Sequence, residues 1–311
     1  MTQMDSLYSV VIPVYNSEAI VEKTVTAVVD FFKANNLRFE IILINDGSPD
    51  NSWEVIKNLP DQFQEVVSIN LLKNYGQHSA VYCGIREAKG DFIITMDDDM
   101  QNPPSEIIHL ITKINEGYDA VFGEFKRKQH AGYRKLGTKV IDYLNTKIFN
   151  KPKDLKLTNF RIFTAEVANR MGQYRTFFPY IPGLVLLSSS KMANVLCEHR
   201  AREIGSSNYN LWRIAKLTSR ILFNYSSFPL KFLSTIGVGV SIISAIGGIF
   251  YLVRGLMFGS KVAGWTSLIV IVSFLCGFII LMLGIIGEYL SRILNQMSTM
   301  ESYQVKQIVR S

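Results

Sequence analysis

Apolar, β-prone segments alternate with helix-like segments through the first third of this 311-residue chain. The strand-like segments are residues 10–14, 39–44, 66–71 and 92–96, and the helix-like segments between them are residues 20–32, 52–59 and 79–88. A chain that returns through a helix to the next strand of the same sheet forms right-handed βαβ units. The pattern therefore predicts an α/β fold, with a Rossmann-like domain and a mostly parallel sheet.

The later part of the chain has less regular patterns. We expect a helix over residues 105–116, a strand over 120–122, a basic segment over 126–135, and a helix that ends near Phe149. A further helix is expected to begin at residues 158–161, and residues 193–197 resemble a strand. Residues 210–223 have the spacing of an amphipathic helix, which suits either a membrane surface or an ordinary helix of the domain.

Three consecutive carboxylates, Asp97, Asp98 and Asp99, directly follow the predicted strand over 92–96. A buried strand that brings adjacent acids to its end is costly unless a cation lies there, because like charges repel and burial penalises each of them. A divalent metal that carries a diphosphate fits this place, since Mg²⁺ takes hard oxygen ligands from carboxylates and from substrate phosphates. The alternative is a solvated acidic turn.

Two long apolar runs, residues 232–253 and 265–287, contain no charged residue. Each has the length of about 20 apolar residues that crosses a bilayer. Basic residues flank the pair on both sides, so the bias of positive charge toward the cytoplasm places both ends and the N-terminal domain there. The alternative is a pair of buried core helices. The predicted order is a catalytic domain over 1–205, an amphipathic juxtamembrane region over 206–231, a transmembrane hairpin over 232–287 and a cytoplasmic tail over 288–311.

The formal net charge of +7 suggests either nucleic acid or an anionic lipid surface as a partner. No nucleic-acid-binding motif accompanies the basic residues, and many of them lie between Lys126 and the predicted membrane entry. We therefore expect contact with lipid headgroups and no nucleic-acid partner. Cys83, Cys197 and Cys276 lack metal-ligand spacing, which is typical of a protein from a reducing compartment.

Polar residues also follow the first two predicted strands. Tyr15 and Asn16 follow the first, and Asp46 and Gly47 follow the second. Because ligands of an open parallel sheet bind beyond the carboxyl ends of its strands, these residues and the three acids are expected to face one crevice. Asp46 can accept hydrogen bonds there from a nucleobase or ribose, or it can bond its own backbone in an Asx-type turn.

Four segments, taken together and in order, are more specific than any one of them: VVIPVYN at 10–16, INDGSPDNS at 44–52, LLKNYGQHSA at 71–80 and ITMDDDMQNPP at 94–104. With them the chain resembles the family 2 glycosyltransferases, which have the GT-A fold. The segment HRAREIGSSNY at 199–209, the paired apolar runs and Gly287-Glu288-Tyr289 resemble the members that act on polyprenyl phosphates. These are dolichol-phosphate mannose synthases, bactoprenol glucosyltransferases and, most closely, undecaprenyl-phosphate formamido-arabinose transferases. The resemblance covers nearly the whole chain.

The resemblance implies a role for each matching residue. The nucleotide is expected to contact Pro13, Tyr15, Asp46, Lys73 and Asn74, while Asp98 either contacts its ribose or faces away. Asp97 and Asp99, the outer positions of a D-x-D motif, are expected to be catalytic and to hold Mg²⁺ or Mn²⁺ with the donor diphosphate, and the catalytic Gln101 to lie near the donor sugar. A phosphate of acceptor or donor is expected to meet Arg202, Ser207 and Tyr209, since the planar fork of Arg suits phosphate oxygens. The resemblance also implies a homo-oligomer, by family a tetramer, in the bacterial inner membrane.

Three positions depart from the family pattern. Ser17 follows the asparagine of VYN where Glu is common, Asn208 stands where Lys is common, and Asn159 occupies the place of a proposed catalytic carboxylate. An acceptor hydroxyl needs a general base, whose loss costs roughly 10²–10⁴ in rate. A lipid monophosphate, with a second pKa of about 6, is already ionised at neutral pH. Asn159 is therefore compatible with a phosphate acceptor, and a lapsed enzyme is the alternative.

These observations together predict an inverting transferase at the cytoplasmic face of the membrane. It is expected to move a sugar from a nucleotide diphosphate, a uridine donor by family expectation, to undecaprenyl phosphate for cell-envelope glycan or lipopolysaccharide modification. The basic segment over 126–135 is expected to close over the donor. A hydroxyl-directed membrane glycosyltransferase and a non-catalytic membrane protein that binds a lipid carrier are the alternatives.

Overall fold

The computed structural model describes residues 5–125, 132–174, 176–198, 211–229, 264–297 and 302–311, with single positions between 231 and 257. Contacts between residues divide the chain into two compact units. The first unit consists of Met1–Ala215 and Met300–Ser311, and the second is Lys216–Thr299. The first part of the basic segment, residues 126–131, lies outside the described residues, so its predicted closure stays a prediction.

Eight strands of the described residues form one mixed sheet in the first unit. They are β1 (Leu7–Val14), β2 (Arg38–Asn45), β3 (Val66–Leu71), β4 (Phe92–Thr95), β5 (Ala120–Phe125), β6 (Arg161–Thr164), β7 (Met192–Cys197) and β8 (Val305–Arg310). Their order across the sheet is β7-β5-β6-β4-β1-β2-β3-β8. The four strands β4, β1, β2 and β3 are parallel to one another, while β6 pairs antiparallel with β4 and β8 pairs antiparallel with β3. The predicted α/β class is confirmed.

Helices connect the strands and cover the sheet. In the first unit they are α1 (Val21–Ala34), α2 (Ser52–Ile56), α3 (Leu59–Gln62), α4 (Gln77–Glu87), α5 (Ile107–Ile114), α6 (Gly132–Phe149), α7 (Ala165–Gly172) and α8 (Ile181–Ser188). The buried side chains of α1 recur at helical spacing from Val21 to Phe32, and the Phe32 ring stacks on Phe39 of β2 with centroids 4.9 Å apart. Gly84 of α4 lies against Val11 of β1 and Ile44 of β2 on the other face. Packing on both faces explains why β1 and β2 are almost continuously apolar.

One sequence prediction is wrong. Residues 158–161 do not open a helix, because Arg161 begins the strand β6 and the helix α7 starts only at Ala165. The four residues of β6 pair antiparallel with β4, where Thr95 lies opposite Arg161. Thr164 then caps α7, since its hydroxyl accepts a hydrogen bond from the Val167 amide at 3.4 Å. A strand of four residues is too short for its period to stand out from that of the following helix.

The strand β8 was not predicted, because residues 288–311 were expected to form a tail. It pairs antiparallel with β3, from Val67 opposite Arg310 to Leu71 opposite Val305. The Arg310 guanidinium also donates to Glu87 of α4 at 2.9 Å. The strand β8 therefore forms the edge of the sheet next to β3.

The helix predicted over residues 210–223 is confirmed as α9 (Leu211–Tyr225), and a long helix, α10 (Trp265–Met297), follows later in the chain. Of the helices in the described ranges, none meets the length and hydropathy of a membrane span.

Candidate active site

The loops that follow β1, β2, β3 and β4 contact one another at the carboxyl edge of the sheet. The Asn16 amide, after β1, donates to the Ser48 hydroxyl, after β2, at 3.3 Å. The Gln77 side-chain amide, at the start of α4, donates to Asp97 Oδ1, after β4, at 2.7 Å. The strand ends therefore meet at one place, as the sequence predicted.

The loops after β1 and β2 are held together by polar contacts around Ser17 and Glu18. The Ser17 amide donates to the Ser52 hydroxyl at 2.9 Å, and the Glu18 amide donates to Asp50 Oδ2 at 3.2 Å. In return, Glu18 Oε2 accepts from the Asn51 amide at 2.8 Å. Glu18, one position after the family's usual Glu, thus serves to join two loops.

Asp46 is buried at the end of β2 and binds the loop between β3 and α4. Its carboxylate accepts from the Tyr75 amide at 2.7 Å and from the Gly76 amide at 2.9 Å. Burial raises the pKa of Asp46 to about 6, although the two amides act in the opposite direction. The local contact of an Asx-type turn is made by Asn45, whose Oδ1 accepts from the Ser48 amide at 3.3 Å.

Gly47 explains how the same loop can lie so close to the end of β2. Its φ is +61°, and a Cβ there would lie 2.6 Å from the Asn74 nitrogen and 2.6 Å from the Lys73 carbonyl carbon. Only glycine fits this position without strain. Lys73 and Asn74, both expected to bind the nucleotide, are exposed, and their backbone lies against Gly47.

The other two expected nucleotide contacts lie at the end of β1. Pro13 is buried in the sheet, opposite Ile44 of β2. Tyr15, two residues later, is 48% exposed. Of these two side chains, the one in a position to meet a ligand is therefore Tyr15.

The three acids after β4 have different surroundings. Asp97 accepts from Gln77 and, at 3.4 Å to each carboxylate oxygen, from the side-chain amide of Asn159. Asp99 is buried, and its Oδ1 accepts from the backbone amide of Gln101 at 3.1 Å, which places Gln101 beside the acids. Burial raises the pKa of Asp98 to about 7, the Ser17 hydroxyl lowers it, and the charges of Asp97 and Asp99 raise it further.

The donor atoms of this cluster suit a hard cation. Asp98 Oδ2 and Asn102 Oδ1 are buried oxygens that have no hydrogen-bond partner among the described residues. Adjacent carboxylates with such oxygens beside them favour Mg²⁺ or Mn²⁺. In the part of the chain that the structure describes, no group of three or more His, Cys, Asp or Glu side chains is arranged to hold a metal ion. A cation at Asp97 and Asp99 would therefore need further oxygen ligands from a substrate.

A buried arginine that the sequence analysis did not single out lies behind the acids. Arg161 is 2% exposed, its Nε donates to Thr95 Oγ1 at 3.0 Å, and its Nη2 donates to Asn159 Oδ1 at 3.3 Å. Burial lowers the pKa of Arg161 to about 10, against the attraction of Asp97. Gln77 was missed as well, although it belongs to the segment LLKNYGQHSA that carries the resemblance. The remaining expected site residues, Arg202, Ser207 and Tyr209, lie outside the described residues.

Comparison with known sequences gives consistent matches. Residues 9–177 match the sequence profile of glycosyl transferase family 2. Over 306 residues the chain is 31% identical to the undecaprenyl-phosphate 4-deoxy-4-formamido-L-arabinose transferase of Proteus mirabilis, which covers 97% of this chain and 93% of that protein. The transferase of the same name from Shewanella sediminis is 31% identical over 310 residues, covering 97% and 92%.

Among solved structures, the fold is similar to glucosyl-3-phosphoglycerate synthase of Mycobacterium tuberculosis in complex with Mn²⁺, UDP-glucose and phosphoglyceric acid. The TM-score is 0.53 at 17% identity, over 71% of this chain and 79% of that one. At this identity the likeness concerns the fold, which is GT-A.

Proposed function

Because the chain belongs to glycosyl transferase family 2, we propose that it moves a sugar from a nucleotide diphosphate donor to undecaprenyl phosphate, with inversion at the anomeric carbon. The observation that carries this proposal is the acid cluster. Asp97 and Asp98 lie where the loops after β1, β3 and β4 contact one another, in a chain that is 31% identical along almost its whole length to undecaprenyl-phosphate transferases.

The donor is proposed to be a uridine diphosphate sugar. Asp46, the exposed loop residues Lys73 and Asn74, and the exposed Tyr15 lie on the β1–β3 side of the acids and would bind the nucleotide. Asp97 and Asp99 would hold Mg²⁺ or Mn²⁺, which when bound neutralises charge on the departing diphosphate. Gln101, next to Asp99, would orient the donor sugar.

The acceptor is proposed to be a lipid phosphate because an asparagine, Asn159, stands where the family pattern has a carboxylate. The Asn159 amide stands there and donates to Asp97, so it cannot accept a proton from a hydroxyl. A phosphate monoester is already ionised at neutral pH. Its oxygen forms the new bond to the anomeric carbon as the bond to the donor diphosphate breaks, with Arg202, Ser207 and Tyr209 proposed to hold the acceptor phosphate.

The setting is proposed to be the bacterial inner membrane, with the sheet-containing unit in the cytoplasm. The uncharged runs over 232–253 and 265–287 support a two-helix transmembrane hairpin, and the amphipathic pattern of α9 supports a helix at the lipid surface. Such a setting keeps the reaction at the surface where the lipid acceptor is anchored. We further propose a homo-oligomer, a tetramer by resemblance, that serves cell-envelope glycan or lipopolysaccharide modification.

The test uses the purified full-length protein with Mn²⁺, undecaprenyl phosphate and a panel of nucleotide sugars, with product mass as the measurement. We expect one donor to yield a glycosylated lipid phosphate. Asp97→Asn and Asp99→Asn should each lose most of the activity, because each change removes a charged ligand of the cation. The matched control is Asp61→Asn, an exposed acid of α3, which should keep full activity. Absence of product across the panel, or full activity in the Asp97 and Asp99 variants, would overturn the proposal.

A further inference from the structure

Asp97 is linked to the buried Arg161 through a single side chain, Asn159. Arg161 Nη2 donates to Asn159 Oδ1 at 3.3 Å, and Asn159 Nδ2 lies 3.4 Å from both carboxylate oxygens of Asp97. The three side chains therefore form a chain of contacts that runs from the interior of the sheet to the acid cluster.

The orientation of the Asn159 amide follows from the chemistry of its two neighbours. A guanidinium carries only donors, so it can face only the oxygen of the amide. A carboxylate carries only acceptors, so it can face only the nitrogen. With Arg161 on one side and Asp97 on the other, Asn159 has one satisfactory orientation, and its N–H groups point at Asp97.

The position of Arg161 is itself fixed by the sheet. Its Nε donates to Thr95 Oγ1 at 3.0 Å, and the Thr95 hydroxyl donates to the backbone carbonyl of Asn159 at 2.6 Å. Thr95 and Arg161 are paired residues of the neighbouring strands β4 and β6. The guanidinium also lies 5.9 Å from the centre of the Phe122 ring of β5. Three adjacent strands thus hold the group that orients Asn159.

Asn159 places a neutral amide against Asp97. A direct contact with the guanidinium would pair the carboxylate with a strong positive charge. The neutral amide instead approaches from the side of β6, while the neutral Gln77 amide donates from α4 at 2.7 Å. These two neutral donors approach the carboxylate without placing a positive charge in hydrogen-bond contact with it.

We propose that Asn159 is a positioning residue, which sets the direction in which Asp97 meets the metal and diphosphate of the donor, and that Arg161 acts on Asp97 through Asn159. This inference rests on the proposed function, since it assigns Asp97 to the cation. It also gives the departure at position 159 a role in donor binding, where the family pattern would have placed a proton acceptor.

The first experiment measures the affinity of Mn²⁺ for the full-length protein in the presence of UDP and without acceptor, by electron paramagnetic resonance of free Mn²⁺. Asn159→Ala should weaken Mn²⁺ binding roughly tenfold, the size of effect typical for partners that orient metal ligands. The matched control is Asn194→Ala, because Asn194 is also half-buried and its side-chain amide is also hydrogen-bonded, but to the backbone carbonyls of Phe122 and Lys156 and not to the acids. This control should leave Mn²⁺ affinity unchanged.

The second experiment is a double-mutant cycle between Asn159→Ala and Arg161→Met, with Mn²⁺ affinity and unfolding temperature measured for each variant. If Arg161 acts through Asn159, the double variant binds Mn²⁺ no more weakly than Asn159→Ala alone. Independent, additive losses of affinity would overturn the role of Arg161. Should Arg161→Met fail to fold, Arg161→Lys takes its place in the cycle, since it keeps the positive charge but loses the planar fork whose Nη2 reaches Asn159.

The outcomes separate this inference from the proposed function. If the wild-type protein binds no Mn²⁺ with UDP, the proposed donor site is contradicted together with the inference that rests on it. If the wild-type protein binds Mn²⁺ and Asn159→Ala binds it equally well, only the inference is overturned.

Discussion

Two aspartates at the strand ends are buried at a cost to the ligand-free protein. Burial raises the pKa of Asp46 to about 6 and that of Asp98 to about 7, which means that each ionised form is disfavoured in the fold. For Asp46, hydrogen bonds from the backbone amides of Tyr75 and Gly76 offset part of the cost of burying the ionised carboxylate. For Asp98, nearby Asp97 and Asp99 increase the cost. A bound cation or a ligand with hydrogen-bond donors would offset these costs, so ligand binding should stabilise this edge of the sheet.

The raised pKa of Asp46 predicts the sign of its effect on stability. Because the folded protein holds this proton more tightly than the unfolded chain, the contribution is complete below about pH 4 and is lost as the pH rises through about 6. It amounts to at most about 3 kcal/mol. The unfolding temperature of the wild type relative to Asp46→Asn should therefore fall between pH 4 and pH 7. A difference that stays constant or grows over this range would contradict the prediction.

Gly47→Ala should weaken donor binding as well as stability. The positive φ alone costs about 1–2 kcal/mol for a residue with a Cβ, and the new methyl group would push the backbone of Lys73 and Asn74 away from Asp46. We expect a higher KM for the donor with a smaller change in kcat. The control is Gly117→Ala, which has a φ of +91° but no atom within 4 Å of its Cβ. Equal effects of both variants on donor KM would contradict the predicted contact.

At the scale of elements, the sequence was sufficient to predict the strands that are buried on both faces. The strands β1 to β4 were predicted because both faces of each strand are covered, which gives long apolar runs. The short strand β6 and the edge strand β8 were missed because pairing with distant strands, and not local pattern, decides their conformation. The same reason applies to the site: the positions of Asp97 and Asp46 after strands could be predicted from the sequence, whereas the contacts of Gln77 and Arg161 depend on tertiary structure.

Removal of residues 302–311 should loosen the loop that binds Asp46. The strand β8 pairs with β3 up to Leu71, and the Leu72 amide donates to the Gln304 carbonyl at 2.9 Å directly before Lys73. We expect a lower unfolding temperature and weaker UDP binding in the truncated protein.

The matched control is Arg310→Ala, which removes the partly exposed ion pair with Glu87 but keeps the strand. Such a pair contributes at most about 1 kcal/mol, so UDP affinity should stay unchanged. Unaltered UDP binding after truncation would contradict this prediction and would show that β8 stabilises the sheet without affecting the loop that binds Asp46.

At the scale of the whole molecule, the order of segments along the chain matters for function. The sheet-containing unit is built from residues before and after Lys216–Thr299, so the chain leaves this unit and returns to it as β8. The segment 216–299 contains both uncharged runs that we propose to span the membrane. Such an order would attach the sheet-containing unit to the proposed membrane segment through two chain connections.

A comparison of two acceptors tests the central claim most directly: undecaprenyl phosphate and undecaprenol, each given to the purified protein with the same nucleotide sugar and Mn²⁺. The account predicts a product with the mass of undecaprenyl phosphate plus one sugar residue, and no product from the alcohol, because Asn159 stands where the family pattern places a proton acceptor. Transfer to undecaprenol at a comparable rate, or no transfer to the phosphate, would contradict it.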